Sequence, residues 1–343
     1  MTRQKILIDT DPGVDDALAI LMAHAHADVV GLSIAAGNVG LNHTVANALK
    51  LVDVIGVDTP VFAGCPSPLV LPAEDAAFVH GLDGFGDTDY AAATSCASSE
   101  HAALAILRLS RQHAGDLTLV ALAPLTNVAL ALRLDPTLPS RISRLIIMGG
   151  AVTGRGNTRL IPAEFNISFD PEAAHIVFSE WPQFTLVDWE ATMAHGVDFS
   201  RWDALLASAD ARAIFYRTIS HKTLMFAQGE RREKMLTADA LAMAVALDPG
   251  IVTKAERRHV AIEFRAHLRG APPWSIGSNA AVMRRMRISF WRSTRRGSRR
   301  CWRNRSARIK YFPDVGNKPP GKKLAIISAQ AGMHVDFDSP ASM

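Results

Sequence analysis

Short apolar runs alternate with stretches of helical period through the first 260 or so residues. Ile6-Leu7-Ile8, Val29 to Ala36, Leu117 to Leu122, Leu145 to Met148 and Phe184 to Val187 read as buried strands. Between them, residues 42–55, 100–113, 125–134 and 170–180 keep the spacing of helices, and Ala17-Leu18-Ala19-Ile20-Leu21 begins another helix straight after the first strand. Asp170-Pro171-Glu172 supplies an N-cap, a proline at the first helical position and an acid in the first turn. This alternation predicts an α/β fold: a single doubly wound, mostly parallel sheet covered by helices on both faces. No internal repeat is visible, and no linker before about residue 265.

Beyond that point the texture changes. From Phe264 to Pro313 there is not one acidic residue, and arginines crowd into Arg284-Arg285-Met286-Arg287 and Arg295-Arg296-Gly297-Ser298-Arg299-Arg300. No helical or strand period persists, which predicts disorder and divides the chain into a domain over 1–270 and an atypical basic tail over 271–343. Residues 264–343 hold 17 Lys and Arg against three acids, so the tail carries +14 and the body −10 within a net charge of +4. Such an arm suggests nucleic acid, but Phe290, Trp291 and Trp302 are not spaced as a stacking platform. A frame slip near Gly270 is the alternative source of the tail. Permitted codons for Ala280 to Thr294, read from each third base, can give a segment ending Ile-Leu-Glu-Val-Asp. The expectation is therefore no specific nucleic-acid partner.

At 343 residues and 48% hydrophobic, the chain can bury a large core. Cys65, Cys96 and Cys301 have no close spacing and offer neither a disulfide framework nor a zinc site, which suits a reducing cytoplasm. The start of the sequence lacks a signal-peptide core and no apolar stretch reaches spanning length, so a soluble cytoplasmic protein without membrane contact is expected.

Candidate chemistry concentrates at the first strand's end, in Asp9-Thr10-Asp11-Pro12-Gly13-Val14-Asp15-Asp16. Turn formation and helix-terminus preference account for some of these aspartates, but four within eight residues repel unless something positive sits among them. A hard divalent cation is the simplest compensation. Other polar residues also follow strands: Asn38, Asn127, Asn157, Glu164 and Asn166, with Asp239 opening a late apolar helix. Singly they read as caps, solvated acids or turns. Together they place carboxylates, carboxamides and backbone carbonyls at one sheet edge, where open α/β sheets bind ligands. That set suits a metal and a polyhydroxylated ligand.

The aspartate run with Ala17, Leu125-Thr126-Asn127, Met148-Gly149-Gly150, Gly156-Asn157, Ala163-Glu164-Phe165-Asn166 and Asp170-Pro171-Glu172-Ala173-Ala174 resembles, in order, the motifs of the inosine-uridine preferring nucleoside hydrolases over roughly residues 5–270. The back-translated segment in the tail looks like that family's closing strand. The resemblance implies hydrolysis of the N-glycosidic bond of ribonucleosides around a bound Ca²⁺, in base salvage, by a homo-oligomer (dimer or tetramer). It assigns the metal to Asp11, Asp16, Asp239 and the carbonyl of Leu122, and the general base to Asp11. It gives the sugar to Asp15, Asn38, Asn157, Glu164 and Asn166, with Met148 and Phe165 lining the pocket and His80 near the base. One position departs from the pattern: Ala238, not histidine, precedes Asp239, leaving no acid for the departing base. Two other readings remain. One is a catalytically impaired member with an incomplete C-terminus. The other is a haloacid dehalogenase-type phosphatase, which would use Asp9 as nucleophile but leaves Glu164-Phe165-Asn166 unexplained.

Overall fold

The computed structural model describes residues 3–158 and 163–263, and the backbone of 287–291 and 324–329. The chain opens with β1 (Lys5–Thr10), α1 (Val14–His26), β2 (Asp28–Ile34), α2 (Leu41–Ile55), β3 (Val61–Ala63) and α3 (Ala77–His80). It continues through α4 (Ala102–Gln112), β4 (Leu117–Ala121), α5 (Thr126–Leu134), β5 (Ile142–Met148), α6 (Phe165–Phe169), α7 (Pro171–Glu180) and β6 (Thr185–Val187). Then come α8 (Trp189–Ala194), β7 (Val197–Asp198), α9 (Phe199–Leu205), α10 (Ala211–Gly229), β8 (Lys234–Met235) and α11 (Ala238–Leu247). The last described elements are β9 (Val252–Glu263), β10 (Arg287–Trp291) and β11 (Leu324–Ala329).

Among the described residues one sheet has the order β10-β9-β11-β6-β5-β4-β1-β2-β3. Its strands from β3 to β11 run parallel, and β9 is antiparallel to both of its neighbours. The mostly parallel, doubly wound architecture thus matches the sequence expectation. Alternation along β1 shows how the two layers form: Ile6 and Ile8 enter the core beneath α1, α2, α10 and α11, while Leu7 enters the opposite core beneath α4, α5 and α7. All three side chains are fully buried, each worth about 1.5–3 kcal/mol. A strand covered on both faces is apolar where both layers cover it, so Ile6-Leu7-Ile8 shows no alternation of polar and apolar residues.

The late elements were less legible. Strand β9 carries Lys254, Glu256, Arg257 and Arg258 in its exposed half, which masks its period. The expectation for the tail from 271 onward lies outside the described residues, apart from β10 and β11, whose backbones pair with β9.

The strand ends that matter share one edge. Beyond β1 lies the turn Asp11 to Gly13, beyond β2 the segment Ala35 to Asn38, beyond β4 Leu122, and beyond β5 Gly149-Gly150. Backbone bonds lace this edge: Ala35 N–H donates to Thr10 O (3.0 Å) and Leu122 N–H to Asp9 O (2.7 Å).

Candidate active site

The turn after β1 is held by its own last aspartate. At the third position of α1, Asp16 reaches back with Oδ2 to accept the amide of the N-cap residue Gly13 (3.1 Å). The same carboxylate accepts Thr10 Oγ1 (2.5 Å), Asn38 Nδ2 (2.9 Å) and Asp11 N–H (3.3 Å). Gly13 is required by close approach, since a Cβ there would sit 2.7 Å from His80 Nδ1 and 2.8 Å from Asn38 Nδ2.

Three carboxylates converge. Asp15, Asp16 and Asp239 offer oxygens that all lie within 4.8 Å of one another, although more than 220 residues separate the first from the last. Asp239 arrives on the first turn of α11, which packs against α1. Burial, then the charges of Asp15, Asp16 and Asp11, push its carboxyl well above the ordinary range. Asp15 is raised to about 6, mainly by burial. An all-oxygen set of this kind fits a hard divalent cation, which would remove the repulsion.

Asp11 stands beside this trio rather than in it. Its Oδ2 accepts Asn38 N–H (2.7 Å), and burial followed by the charge of Asp16 raises its carboxyl well above the usual value. The Asn38 side chain donates to both Asp11 O (3.1 Å) and Asp16, tying the second strand's end to the aspartate turn. A Cβ at Gly37 would lie 2.0 Å from Asp11 Oδ2, so only glycine admits this carboxylate.

Opposite, Glu164 is buried and caps α6. Its Oε1 accepts Asn166 N–H (2.9 Å) and its Oε2 accepts Gly150 N–H (2.9 Å) and Ile167 N–H (3.1 Å). Gly150 makes this approach at φ 83°, in the left-handed region. Burial still outweighs those bonds and raises the Glu164 carboxyl. Asn166 Nδ2 donates to Leu122 O (2.5 Å) and contacts Met148 Sδ (3.3 Å), so the Leu122 carbonyl faces the site. Asn157 Oδ1 accepts Phe165 N–H (2.8 Å). Met148 is buried and Phe165 half-buried.

His80 comes to the same turn in a specific role. Its Nδ1 accepts Val14 N–H (3.1 Å), the first amide of α1, and burial lowers the imidazole to about 4 despite the charge of Asp16. The ring is a neutral helix cap. Ala238 is buried and supplies no acid.

Two supporting residues, Ser33 and Asn47, escaped the sequence reading, and Asn127 and Asp9 join the first of them. Ser33 Oγ (2.5 Å) and Asn127 Nδ2 (3.0 Å) donate to Asp9 Oδ1, and burial raises Asp9 to about 7. Asn47 Nδ2 bridges Pro12 O (2.9 Å) and Asp83 O (2.8 Å). The signal for Ser33 and Asn47 was a polar residue at a buried position of an apolar strand or helix face. Asn127 is a cross-link between strands, not a helix cap.

A family model described as inosine-uridine preferring nucleoside hydrolase matches residues 6–291. Among curated proteins, the pyrimidine-specific ribonucleoside hydrolase RihB of Escherichia coli (strain K12) is 38% identical over 195 residues, 56% of this chain and 61% of that protein. The chain therefore spans less than two thirds of the length of the curated relatives it matches. A solved plant nucleoside hydrolase superimposes with a TM-score of 0.77 at 27% identity, covering 95% of this chain and 94% of that one. A purine-preferring ribonucleoside hydrolase from Gardnerella vaginalis gives 0.71 at 28% identity over 78% of this chain and 87% of its own. Among the described residues no helix is long and apolar enough to cross a membrane.

Proposed function

This chain belongs to the inosine-uridine preferring nucleoside hydrolase family, and from that premise we propose that it hydrolyses the N-glycosidic bond of ribonucleosides to ribose and free base. The observation that carries the reading is the convergence of Asp15, Asp16 and Asp239, with Asp11 after the same strand β1 and Asn166 tied to the carbonyl of Leu122 after β4.

Asp16 and Asp239 of that trio, joined by the neighbouring Asp11 and the Leu122 carbonyl, are the groups that would hold Ca²⁺, with Asp15 left to the sugar. Bound there, Ca²⁺ supplies Lewis acidity to a water and a hard centre for the ribose 2′ and 3′ hydroxyls. Asp11 takes the water's proton: its burial beside Asp16 raises its basicity, and the Asn38 amide fixes its orientation. Asp15, Asn38, Asn157, Glu164 and Asn166 grip the ribose hydroxyls, and Met148 and Phe165 line the sugar. Hydrogen bonds to these hydroxyls strengthen as the sugar approaches an oxocarbenium ion. A homo-oligomer in the cytoplasm completes the proposal.

The test is reducing-sugar release from a panel of purine and pyrimidine ribonucleosides, with and without chelator. Ribose release that chelation abolishes and Ca²⁺ restores supports the reading. Phosphate release from a phosphomonoester in place of ribose release would overturn it.

A further inference from the structure

The segment that leaves β5 carries Gly149, Gly150, Gly154 and Gly156 and delivers Asn157, one of the groups proposed to grip the sugar. A chain so rich in glycine loses much conformational freedom when it is fixed, so contacts with its surroundings must set its course. Two anchors do so. At the far end, Asn157 N–H donates to Ala163 O (3.2 Å) and Asn157 Oδ1 accepts Phe165 N–H (2.8 Å). At the near end stands Glu190, half-buried on the first turn of α8. Its Oε1 accepts both Thr153 N–H (2.6 Å) and Thr153 Oγ1 (2.6 Å), and its Oε2 accepts Val152 N–H (2.9 Å). The neighbouring Trp189 N–H donates to Gly150 O (2.9 Å), so the start of α8 holds this segment from Gly150 to Thr153. Only Gly154, Arg155 and Gly156 separate the two anchors, and a Cβ at Gly156 would overlap the Ala163 carbonyl.

We propose that Glu190 is a positioning residue of the sugar site: by clamping Val152 and Thr153 it fixes the approach of the chain to Asn157, and so the place from which that side chain reaches a ribose hydroxyl. The inference rests on the proposed ribonucleoside reading and extends it to a residue outside every motif of the sequence. A solvated surface acid has no need of three donors from two successive residues. A carboxylate that takes them with both oxygens makes charge-assisted hydrogen bonds, the stronger kind, and holds the backbone in one course.

The test measures kcat and KM for p-nitrophenyl riboside in full-length parent, Glu190→Ala, Asn157→Ala and the double variant, with amide hydrogen exchange read alongside. Loss of a charge-assisted clamp sets the expected scale: Glu190→Ala lowers kcat/KM about 10-fold, mainly through a higher KM. Exchange should quicken from Val152 to Asn157 while β4 and β5 keep the parent's protection. In the Asn157→Ala background the same change should cost at most about 2-fold, because the group it positions is gone. Thr153→Val removes one hydroxyl, leaves both amides, and should give a smaller loss with the same dependence on Asn157; it decides the matter if Glu190→Ala does not fold. A merely structural glutamate would lower the melting temperature and kcat, leave KM alone, and multiply with Asn157→Ala. That pattern, or an unchanged kcat/KM, overturns the proposal. A parent that cleaves no riboside overturns the ribonucleoside reading itself, and the proposal with it.

Discussion

Asp11 and Asp9 share the strand end but are placed for different work. Asp11 points its Oδ2 at the Asn38 amide, whereas Asp9 Oδ1 is taken by Ser33 and Asn127 and its Oδ2 has no partner among the described residues. Asp11→Asn should therefore reduce kcat by about 10² to 10⁴ with melting and circular dichroism retained, and Asp9→Asn should cost less activity. Equal activity of Asp11→Asn and parent would refute the assignment. Asp188, the N-cap of α8, supplies a separate stability test. Its Oδ1 accepts Ala191 N–H (2.8 Å), its Oδ2 meets no partner among the described residues, and burial raises the carboxyl from 3.8 to about 7. Because the folded-state value is raised, the protonated acid's contribution is complete below about pH 4 and is lost as pH rises through 7. Asp188→Asn should thus be more stable than parent at pH 8 by roughly 2–4 kcal/mol, with the gap closing toward pH 4 in urea titrations. A gap independent of pH would refute it.

At the scale of elements, the site is a meeting of helix termini. Helix α1 starts on the aspartate turn, α6 starts on Glu164, and α11 starts beside Asp239. Arg144, at the other end of α11, donates to the carbonyls of Val245 (3.2 Å) and Ala246 (3.0 Å), anchoring that helix against β5. His80 ends α3 and caps α1, so it couples the loop after α3 to the Asp16 turn. A histidine held neutral through Nδ1 is a poor proton donor to a leaving base. His80→Phe, which leaves the Val14 amide unpaired, should slow uridine and p-nitrophenyl riboside by similar factors, as a displaced turn would. Loss confined to uridine would instead identify His80 as the acid. With Ala238 supplying none, the parent should cleave p-nitrophenyl riboside much faster than inosine or uridine, whose bases need a proton. Comparable rates for a natural nucleoside would show that an acid lies elsewhere.

For the whole molecule, the charge asymmetry and the sequence relationships bear on the tail. The body's −10 and the tail's +14 do not belong to one compositional pattern, and the chain spans only 61% of RihB. A frame slip near Gly270 predicts that the coding DNA, read from the third base after that codon, encodes the Ile-Leu-Glu-Val-Asp segment. A shifted frame without it would make the basic tail native, and an Arg-rich tail of that kind would be expected to bind nucleic acid with a steep salt dependence.

The alternation of strand and helix was legible because each element reports its own periodicity. Residues 117–122, 125–134 and 170–180 coincide closely with β4, α5 and α7, where caps and apolar runs lie within a few residues of the backbone they organise. The aspartate run was equally plain, since several like charges at a strand end demand compensation wherever the rest of the chain goes. Partner choice was not legible. That Asp15 joins Asp16 and Asp239 while Asp11 turns to Asn38, that Asn166 reaches Leu122 and that His80 caps Val14 are contacts spanning tens to hundreds of residues. Hydrophobic periodicity settles which face of an element is buried, but the packing of α10 and α11 on α1 decides which buried polar groups meet. The resulting desolvation and mutual repulsion, which turn ordinary carboxyls into a cage that seeks a cation, exist only after that packing.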